Sequence, residues 1–160
     1  MEITKAEFRD LKQLDEIEHE CFPAEQAASC DSMKQRLHVY PDHFWIMKDE
    51  EKIISFIGGM CTDERDLSDE MYADANMHRE NGEWQMLFGV CTRKQYRNKG
   101  FASELIRFCI EESKQKGRKG VVLTCLEHMI PFYETLGFVN EGISSSVHGD
   151  VTWFQMRITF

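Results

Sequence analysis

The 160-residue sequence predicts an α/β fold in which a mixed sheet of about seven strands is flanked by about four helices. Three observations carry this prediction. Apolar segments of strand length alternate with segments whose apolar residues recur every three or four positions. Two apolar runs joined by a charged turn predict a β-hairpin. The short apolar segment KGVVLTC, residues 119–125, is typical of a strand buried on both faces of a sheet.

The first half of the chain is predicted to contain three strands and two helices. EITKAEF forms the first strand, and a helix follows from Asp10, with Gln13 at the spacing of a capping box. Pro23 ends this helix, and a second helix is predicted over 31–38. FWIMKDE and KIISFIGGMC form the hairpin. The polar segment 62–83 is predicted to be an irregular loop, with or without one helical turn.

The second half is predicted to contain four strands and two helices. WQMLFGVCT is predicted as one strand, in which Gly89 favours a bulge, although it could instead relieve packing. A cationic loop and an amphipathic helix follow, and KGVVLTC is the next strand. EHMIPFYETLG predicts a short helix ending at Gly137, before the final strands FVNEG and TWFQMRITF. Without repeats or linkers, residues 1–160 are expected to form a single domain.

Composition narrows the class of partner. The formal net charge of −9 argues against nucleic acid and anionic membranes, and suits a cationic small molecule. No apolar run has the length that crosses a bilayer. Six cysteines occur singly, which predicts reduced thiols in a cytoplasmic protein, with one disulfide pair as the alternative. Their spacing shows no metal-ligand pattern, so no metal is expected.

The acidic chain nevertheless concentrates positive charge immediately before one helix. Arg93, Lys94, Arg97 and Lys99 precede Gly100 there. The first N–H groups of a helix lack partners and carry partial positive charge, so a strand, cationic loop, glycine and helix form an arrangement that binds phosphate. A solvated helix start is the alternative. Neither common glycine-rich nucleotide motif is present.

The six-residue pattern Arg97-x-x-Gly100-x-Ala102 resembles the acetyl-CoA-binding motif of the GNAT superfamily of N-acetyltransferases. PFYETLGF, residues 131–138, resembles the second signature of that superfamily, and the predicted order of elements matches over the whole chain. CLEHMIPFYETLGFVNEG and HECFPAEQAAS are most similar to arylalkylamine N-acetyltransferases and their bacterial relatives. The resemblance implies a centrally splayed sheet and direct transfer of an acetyl group from acetyl-CoA to a primary amine.

The resemblance also implies the cofactor residues and a catalytic acid. The pantetheine arm would pair with the backbone of Val90 and Thr92. Tyr133 would protonate the departing thiolate, the alternative being a core tyrosine. A backbone N–H at the bulge near Gly89 would polarise the thioester carbonyl. The CoA diphosphate would contact Arg97, Asn98, Lys99, Gly100, Phe101 and Ala102.

The sequence leaves several candidates for the general base. Animal arylalkylamine enzymes carry two histidines on the strand before the loop, but Met86 and Phe88 occupy the corresponding positions here and take no proton. The candidates are Glu127, His128, His148 and a water chain that ends at a carboxylate. Cys91 and Cys125 raise a covalent acetyl-cysteine route, for which buried thiols are the simpler interpretation.

The acceptor side is predicted to include Phe22, Glu25 and Glu127. Eight acids within 62–83 predict an acidic rim that would concentrate a cationic amine, unless this segment is only a solvated loop. Phe22 and Trp84 would favour an aromatic amine instead. A small-molecule amine is therefore the expected partner, without nucleic acid or membrane, and a homodimer is left open. A non-catalytic CoA sensor or docking module and a protein or peptide N-acetyltransferase are the alternatives.

Overall fold

The computed structural model describes residues 1–160 and confirms the predicted α/β fold. The strands are β1 (Glu2–Lys5), β2 (Phe44–Asp49), β3 (Lys52–Gly58), β4 (Cys61–Thr62), β5 (Trp84–Leu87), β6 (Gly89–Thr92), β7 (Gly120–Cys125), β8 (Val139–Ile143) and β9 (Phe154–Thr159). The α-helices are α1 (Leu11–Cys21), α2 (Cys30–Val39), α3 (Asp69–Ala73), α4 (Phe101–Gln115) and α5 (Ile130–Thr135). None of these helices combines the length and the apolar sequence that crossing a membrane requires.

The strands form two sheets that meet at Phe88. The first sheet has the order β1-β2-β3-β6 and is antiparallel throughout, and the second has the order β4-β5-β7-β9-β8. Only β5 and β7 run parallel, and their pairing ends at Leu87 and Leu123. Beyond Phe88 the chain pairs with β3 instead, beginning at Gly89 opposite Gly58. The predicted strand WQMLFGVCT is therefore two strands, and β6 separates from β7 as the splayed sheet requires.

Two apolar clusters cover the two faces of the sheets. One cluster of 18 buried residues lies under α1 and α2, and another of 15 buried residues lies under α4 and α5. The buried residues of α4 follow the spacing seen in the sequence: Leu105, Ile106, Cys109 and Ile110. Burial of this apolar stripe, more than local helix propensity, holds α4 against the sheet.

The capping box predicted between Asp10 and Gln13 is wrong. The Asp10 carboxylate accepts the backbone N–H of Glu7 at 2.8 Å, so the capping box lies one turn earlier, at a 3-10 turn. The Gln13 side chain instead accepts the N–H of Ile53 at 2.8 Å and donates to the carbonyl of Glu51 at 3.0 Å. Gln13 thus satisfies backbone groups of the hairpin, which a reading of the local sequence cannot anticipate.

Gly59 permits the close crossing of the chain after β3 over β5. A β-carbon at position 59 would overlap the carbonyl oxygen of Met86. The buried amide of Gln85 fixes the same crossing, since it donates to the carbonyls of Gly59 at 2.9 Å and Met86 at 2.8 Å. The point from which the two sheets diverge therefore depends on backbone contacts that leave no room for a side chain.

We expect Gly59→Ala to lower the free energy of unfolding by about 3 kcal/mol, because the added methyl group forces the two backbones apart. Gly142→Ala is the control. A β-carbon on Gly142 would meet nothing within 4 Å, so only the strain of its positive φ applies, which costs about 1 kcal/mol. Urea denaturation of both variants checks this, and equal losses would contradict the tight crossing at Gly59.

Candidate active site

A cavity of 790 Å³ opens where β6 and β7 separate. Its volume lies in the range of small-molecule and cofactor pockets. Its wall is formed by α1, the α1–α2 loop, α2, β6, β7 and the first turn of α4, together with α5 and the loop before β9. The splayed sheet therefore creates one continuous chamber between the two layers of helices.

The first turn of α4 opens into this cavity. Gly100 has φ of 84° and no side chain caps the helix, so the N–H groups of Phe101, Ala102 and Ser103 have no partner within the helix. A β-carbon on Gly100 would meet nothing within 4 Å. Asn98, with φ of 62°, helps to turn the chain into the helix. This end of the cavity thus offers unobstructed backbone donors and a positive helix end to an anion.

The four cations before Gly100 have different environments. Arg97 is exposed, and its Nε donates to the carbonyl of Thr92 at 3.0 Å. Lys99 is exposed beside the ring of Tyr96 and does not line the cavity. The Nε of Arg93 donates to the carbonyl of Ile53 on β3 at 2.6 Å, and its guanidinium lies 3.6 Å from the carboxylate of Glu16 on α1. Arg93 belongs to the cationic loop that the sequence predicted, but it does not line the cavity and instead holds the loop against β3 and α1.

Most of the predicted cofactor residues lie together on the cavity wall. Those that line it are Val90, Thr92, Arg97, Asn98, Gly100, Phe101 and Ala102. Lys99 is the member of the predicted set that does not.

Tyr133 lines the cavity from α5. The residue is only 5% exposed, and burial raises the pKa of its phenol above the ordinary value. The phenol therefore stays protonated at neutral pH and has a proton that it can donate to a ligand. Cys125 lies nearby on the same wall, and burial raises the pKa of its thiol to about 11.

Glu18 places a buried carboxylate on the α1 side of the cavity, beside the start of β6. Its Oε2 accepts the N–H of Ala28 at 3.0 Å, and its Oε1 lies 3.8 Å from the Sγ of Cys91. A β-carbon on Gly89 would lie 3.3 Å from Oε1, so the glycine makes room for the carboxylate. Burial raises the pKa of Glu18, although the Ala28 N–H and the charge of Arg36 oppose this shift.

Sequence reasoning missed Glu18, yet a signal was present. Glu18 is four residues after Leu14 and three before Cys21, so it lies on the apolar face of α1. An acid on the buried face of an amphipathic helix is unfavourable unless it has a partner or a function. That anomaly distinguishes Glu18 from the acids on the exposed face.

Aromatic side chains form one part of the cavity wall, which we call the acceptor end and which includes Tyr72, Phe88 and His148. The Tyr72 ring stacks on the His148 ring at 5.0 Å between centroids and contacts the Phe88 ring at 4.9 Å. The Tyr72 hydroxyl lies 3.1 Å from the hydroxyl oxygen of Thr124 on β7. His148, one of the candidates for the general base, lines the cavity. Its Nε2 donates to the carbonyl of Gln26 at 2.8 Å.

Of the other residues predicted to bind the acceptor, some line the cavity and others do not. Phe22 lines the cavity, whereas Glu25 and Glu127 are exposed and lie outside it. Trp84 lies elsewhere, beneath the guanidinium of Arg157 at 4.6 Å. The candidate base His128 lines the cavity, but its side chain is exposed.

No acid of segment 62–83 lines the cavity, and Tyr72 is the one residue of that segment that does. Several of the acids are bound by other parts of the protein. Asp66 pairs with Arg157 at 2.7 Å, and Asp69 accepts hydrogen bonds from the Ser146 hydroxyl and the N–H of Val147. The expected acidic rim is therefore not a wall of the cavity, because these carboxylates anchor the segment.

The six cysteines are unpaired thiols that differ in acidity. Hydrogen bonding to Cys91 and the neighbouring Arg97 lower the pKa of Cys21 to about 7 despite burial. Burial raises the pKa of Cys91 far above that of a free thiol, as it does for Cys125. The thiolate is the nucleophilic form, so the structure gives neither Cys91 nor Cys125 the activation that an acetyl-cysteine route needs.

His43, His78 and Glu80 form a separate cluster of metal-ligand type. The Nδ1 of His78 accepts the backbone N–H of Cys61 at 3.0 Å, which places the proton of the neutral ring on Nε2. That Nε2 donates to Glu80 at 3.2 Å, so the atom that would face a metal carries a proton. Burial lowers the pKa of both histidines. We interpret the cluster as a hydrogen-bonded brace between segment 62–83 and the sheet.

Comparison with known proteins agrees with this geometry. The sequence profile of the acetyltransferase (GNAT) family matches residues 11–138. The chain belongs to the acetyltransferase (GNAT) family. As the sequence predicted, it is an N-acetyltransferase, and acetyl-CoA is its cosubstrate.

Three proteins illustrate the range of GNAT relatives. Serotonin N-acetyltransferase of Mesocricetus auratus is 26% identical to this chain, and the match covers 95% of this chain and 76% of that protein. The loading GNATL domain of CurA from Lyngbya majuscula is 16% identical with a TM-score of 0.85, over 99% of this chain and 96% of that one. The GNAT-like decarboxylase GphF, solved with isobutyryl-CoA, is 19% identical with a TM-score of 0.81, over 99% of each chain. At these identities the two structures share the fold with this GNAT protein.

We expect Gly100→Asp to weaken CoA binding by about tenfold or more, because it places a negative charge where the start of α4 would receive the diphosphate. Asp tolerates a positive φ better than most residues, so the fold should persist. Gly117→Asp is the matched control, since Gly117 also has a positive φ and open space but lies at the other end of α4. Calorimetric titration with CoA checks both, and equal affinities would contradict this placement.

Proposed function

We propose that this GNAT protein acetylates the primary amine of a small molecule, by direct attack of the amine on acetyl-CoA held in the cavity. Glu18 serves as the base and Tyr133 as the acid. One observation carries the proposal: a buried carboxylate and a protonated phenol line the same chamber, whose other end is an open helix start.

The cavity wall supports one orientation of the cosubstrate. The diphosphate is expected at the start of α4, where Gly100, Phe101 and Ala102 offer free backbone. The pantetheine arm then follows the free side of β6, past Thr92 and Val90. This orientation brings the thioester to Gly89, where β6 separates from β7, beside Glu18. The exposed Lys99 contributes long-range attraction to the phosphates.

Each protein group has a defined proton to move. An amine with the usual pKa of about 10 is protonated at neutral pH and must lose a proton before it attacks. Glu18 accepts that proton, because its raised pKa makes it a stronger base than an exposed carboxylate. Collapse of the tetrahedral intermediate breaks the carbon–sulfur bond, and the phenol of Tyr133 donates its proton to the thiolate of CoA. The nitrogen, which became cationic on attack, gives its second proton to the Tyr133 phenolate, so that the phenol is restored and the neutral amide is left.

The enclosed acceptor end favours a small molecule over a peptide. The loop before β9 crosses towards the α1–α2 loop, where His148 donates to the Gln26 carbonyl at 2.8 Å. The indole of Trp153 donates to the His148 carbonyl at 2.7 Å and stiffens the same loop. Two loops joined in this way bridge this end of the cavity, where an extended peptide would need an open groove.

We expect Tyr133→Phe to lower kcat by about 10- to 100-fold while CoA affinity stays within about twofold, because only the proton donor is removed. Tyr96→Phe is the control. Tyr96 also lines the cavity but lies near the start of α4, so its hydroxyl has no role in this step. Thiol-release kinetics and CoA titration give both quantities, and a Tyr133→Phe enzyme of normal kcat would remove Tyr133 from the reaction.

We expect Glu18→Gln to lower kcat/KM by about 100-fold or more and to abolish the rise of the rate with pH that ionisation of Glu18 produces. Glutamine keeps an acceptor for the Ala28 N–H but takes no proton. Glu16→Gln, on the exposed face of α1, should retain the wild-type profile. An unchanged pH profile in Glu18→Gln would assign the base to another group.

Glu18→Gln should also be more stable than the wild type at pH 7 to 8. The raised pKa means that the folded protein retains a proton that the unfolded chain has already released. The stability of the wild type therefore falls as pH rises from the unfolded pKa of about 4.3 through the raised folded one. Urea midpoints should differ at pH 7 and converge near pH 4, and a variant less stable than the wild type at both values would contradict this sign.

A further inference from the structure

Arg36 brings a second buried charge to the acceptor end of the cavity. It lies on α2, is 7% exposed and lines the cavity wall. Its guanidinium lies 5.1 Å from the centroid of the Phe88 ring, and its Nη2 donates to the carbonyl of Tyr72 at 3.0 Å. Its Nε is buried without a hydrogen-bond partner. A guanidinium has five N–H donors, so most of those on Arg36 are unused.

Arg36 and Glu18 are oppositely charged groups on one cavity wall, and they do not form an ion pair. Burial raises the pKa of Glu18, and the positive charge of Arg36 opposes this rise without reversing it. The Glu18 carboxylate accepts one backbone hydrogen bond, from the N–H of Ala28, and the Arg36 guanidinium donates one, to the carbonyl of Tyr72. Buried charges are costly when they lack close partners. A ligand with one charge of each sign would satisfy both.

We propose that the acceptor is an amino acid, with its amino group at Glu18 and its carboxylate at Arg36. This inference rests on the proposed acetyl transfer. A guanidinium binds a carboxylate through two parallel hydrogen bonds, the geometry for which arginine is best suited. The amino group then lies at the base and beside Gly89, where the thioester is expected.

The rest of the acceptor end indicates the class of side chain. Tyr72, Phe88 and His148 form a contiguous set of rings, and Trp153 also lines the cavity. Aromatic rings prefer stacked or edge-to-face contacts with one another. The amino acid that fits this pocket therefore carries an aromatic or large apolar side chain.

The test compares two acceptors that differ only in the carboxylate, L-phenylalanine and phenethylamine. Thiol release from acetyl-CoA gives kcat/KM for each, in the wild type and in Arg36→Met and Arg36→Lys. The ratio of the two values within one variant is independent of the fraction of enzyme that is folded. Lys34→Met, on the exposed side of α2, controls for a general loss of positive charge.

We expect the wild type and Lys34→Met to prefer phenylalanine by about 10- to 100-fold, as a charged hydrogen-bonded contact provides. Arg36→Met should bring the ratio to about one or below, mainly through a higher KM for phenylalanine. Arg36→Lys should retain part of the preference, since it keeps the charge but loses the paired donors. A structural role of Arg36, through its bond to Tyr72, would lower both rates together and leave the ratio unchanged.

Three results would overturn the assignment. The first is a wild-type enzyme that acetylates phenethylamine at least as well as phenylalanine. The second is a preference for phenylalanine that survives in Arg36→Met. The third is decarboxylation of malonyl-CoA without any amine, lost in Arg36→Met, which would place the carboxylate on the acyl group. Turnover of amines without a preference leaves the proposed function intact, whereas CoA binding without turnover of any amine removes that function as well.

Discussion

The site depends on one interruption of β-sheet pairing, at Phe88. Up to Leu87 the chain is hydrogen-bonded to β7, and from Gly89 onwards it is hydrogen-bonded to β3. A regular sheet would have continued the β5–β7 pairing and filled the space with backbone. The change of partner separates β6 from β7 and leaves one side of β6 free. It thereby creates both the volume of the cavity and the backbone edge along which an extended thioester arm can lie.

The same interruption explains how the chain can carry unpaired charges inside. Glu18 and Arg36 are enclosed by protein on several sides, and neither has an oppositely charged side chain in contact. Such groups lower stability, and the two apolar clusters on either face of the sheets supply the compensating burial. The chain therefore combines an ordinary apolar core with a cavity in which Glu18 and Arg36 can bind a ligand.

The sequence predicted those parts of the site that are encoded locally. The open start of α4 follows from one strand, one glycine and one amphipathic helix, and Tyr133 belongs to a short signature before Gly137. Glu18, Arg36 and Tyr72 come from three separate helices, so only the packed structure brings them to one wall. The acidic rim was predicted wrongly for a related reason. The acids of 62–83 are evident in the sequence, but the residues that bind them, such as Arg157, lie far along the chain.

Gly89 has a consequence for how this sequence can diverge. The carboxylate of Glu18 lies so near position 89 that any side chain there would force it to move. The two positions, far apart in the chain, are therefore linked: a β-carbon at 89 requires the Glu18 carboxylate to shift by a few tenths of an ångström, and a larger side chain requires more. In an alignment of close homologues, substitutions at these two sites should covary, and lineages that have lost both would be expected to have recruited another proton acceptor.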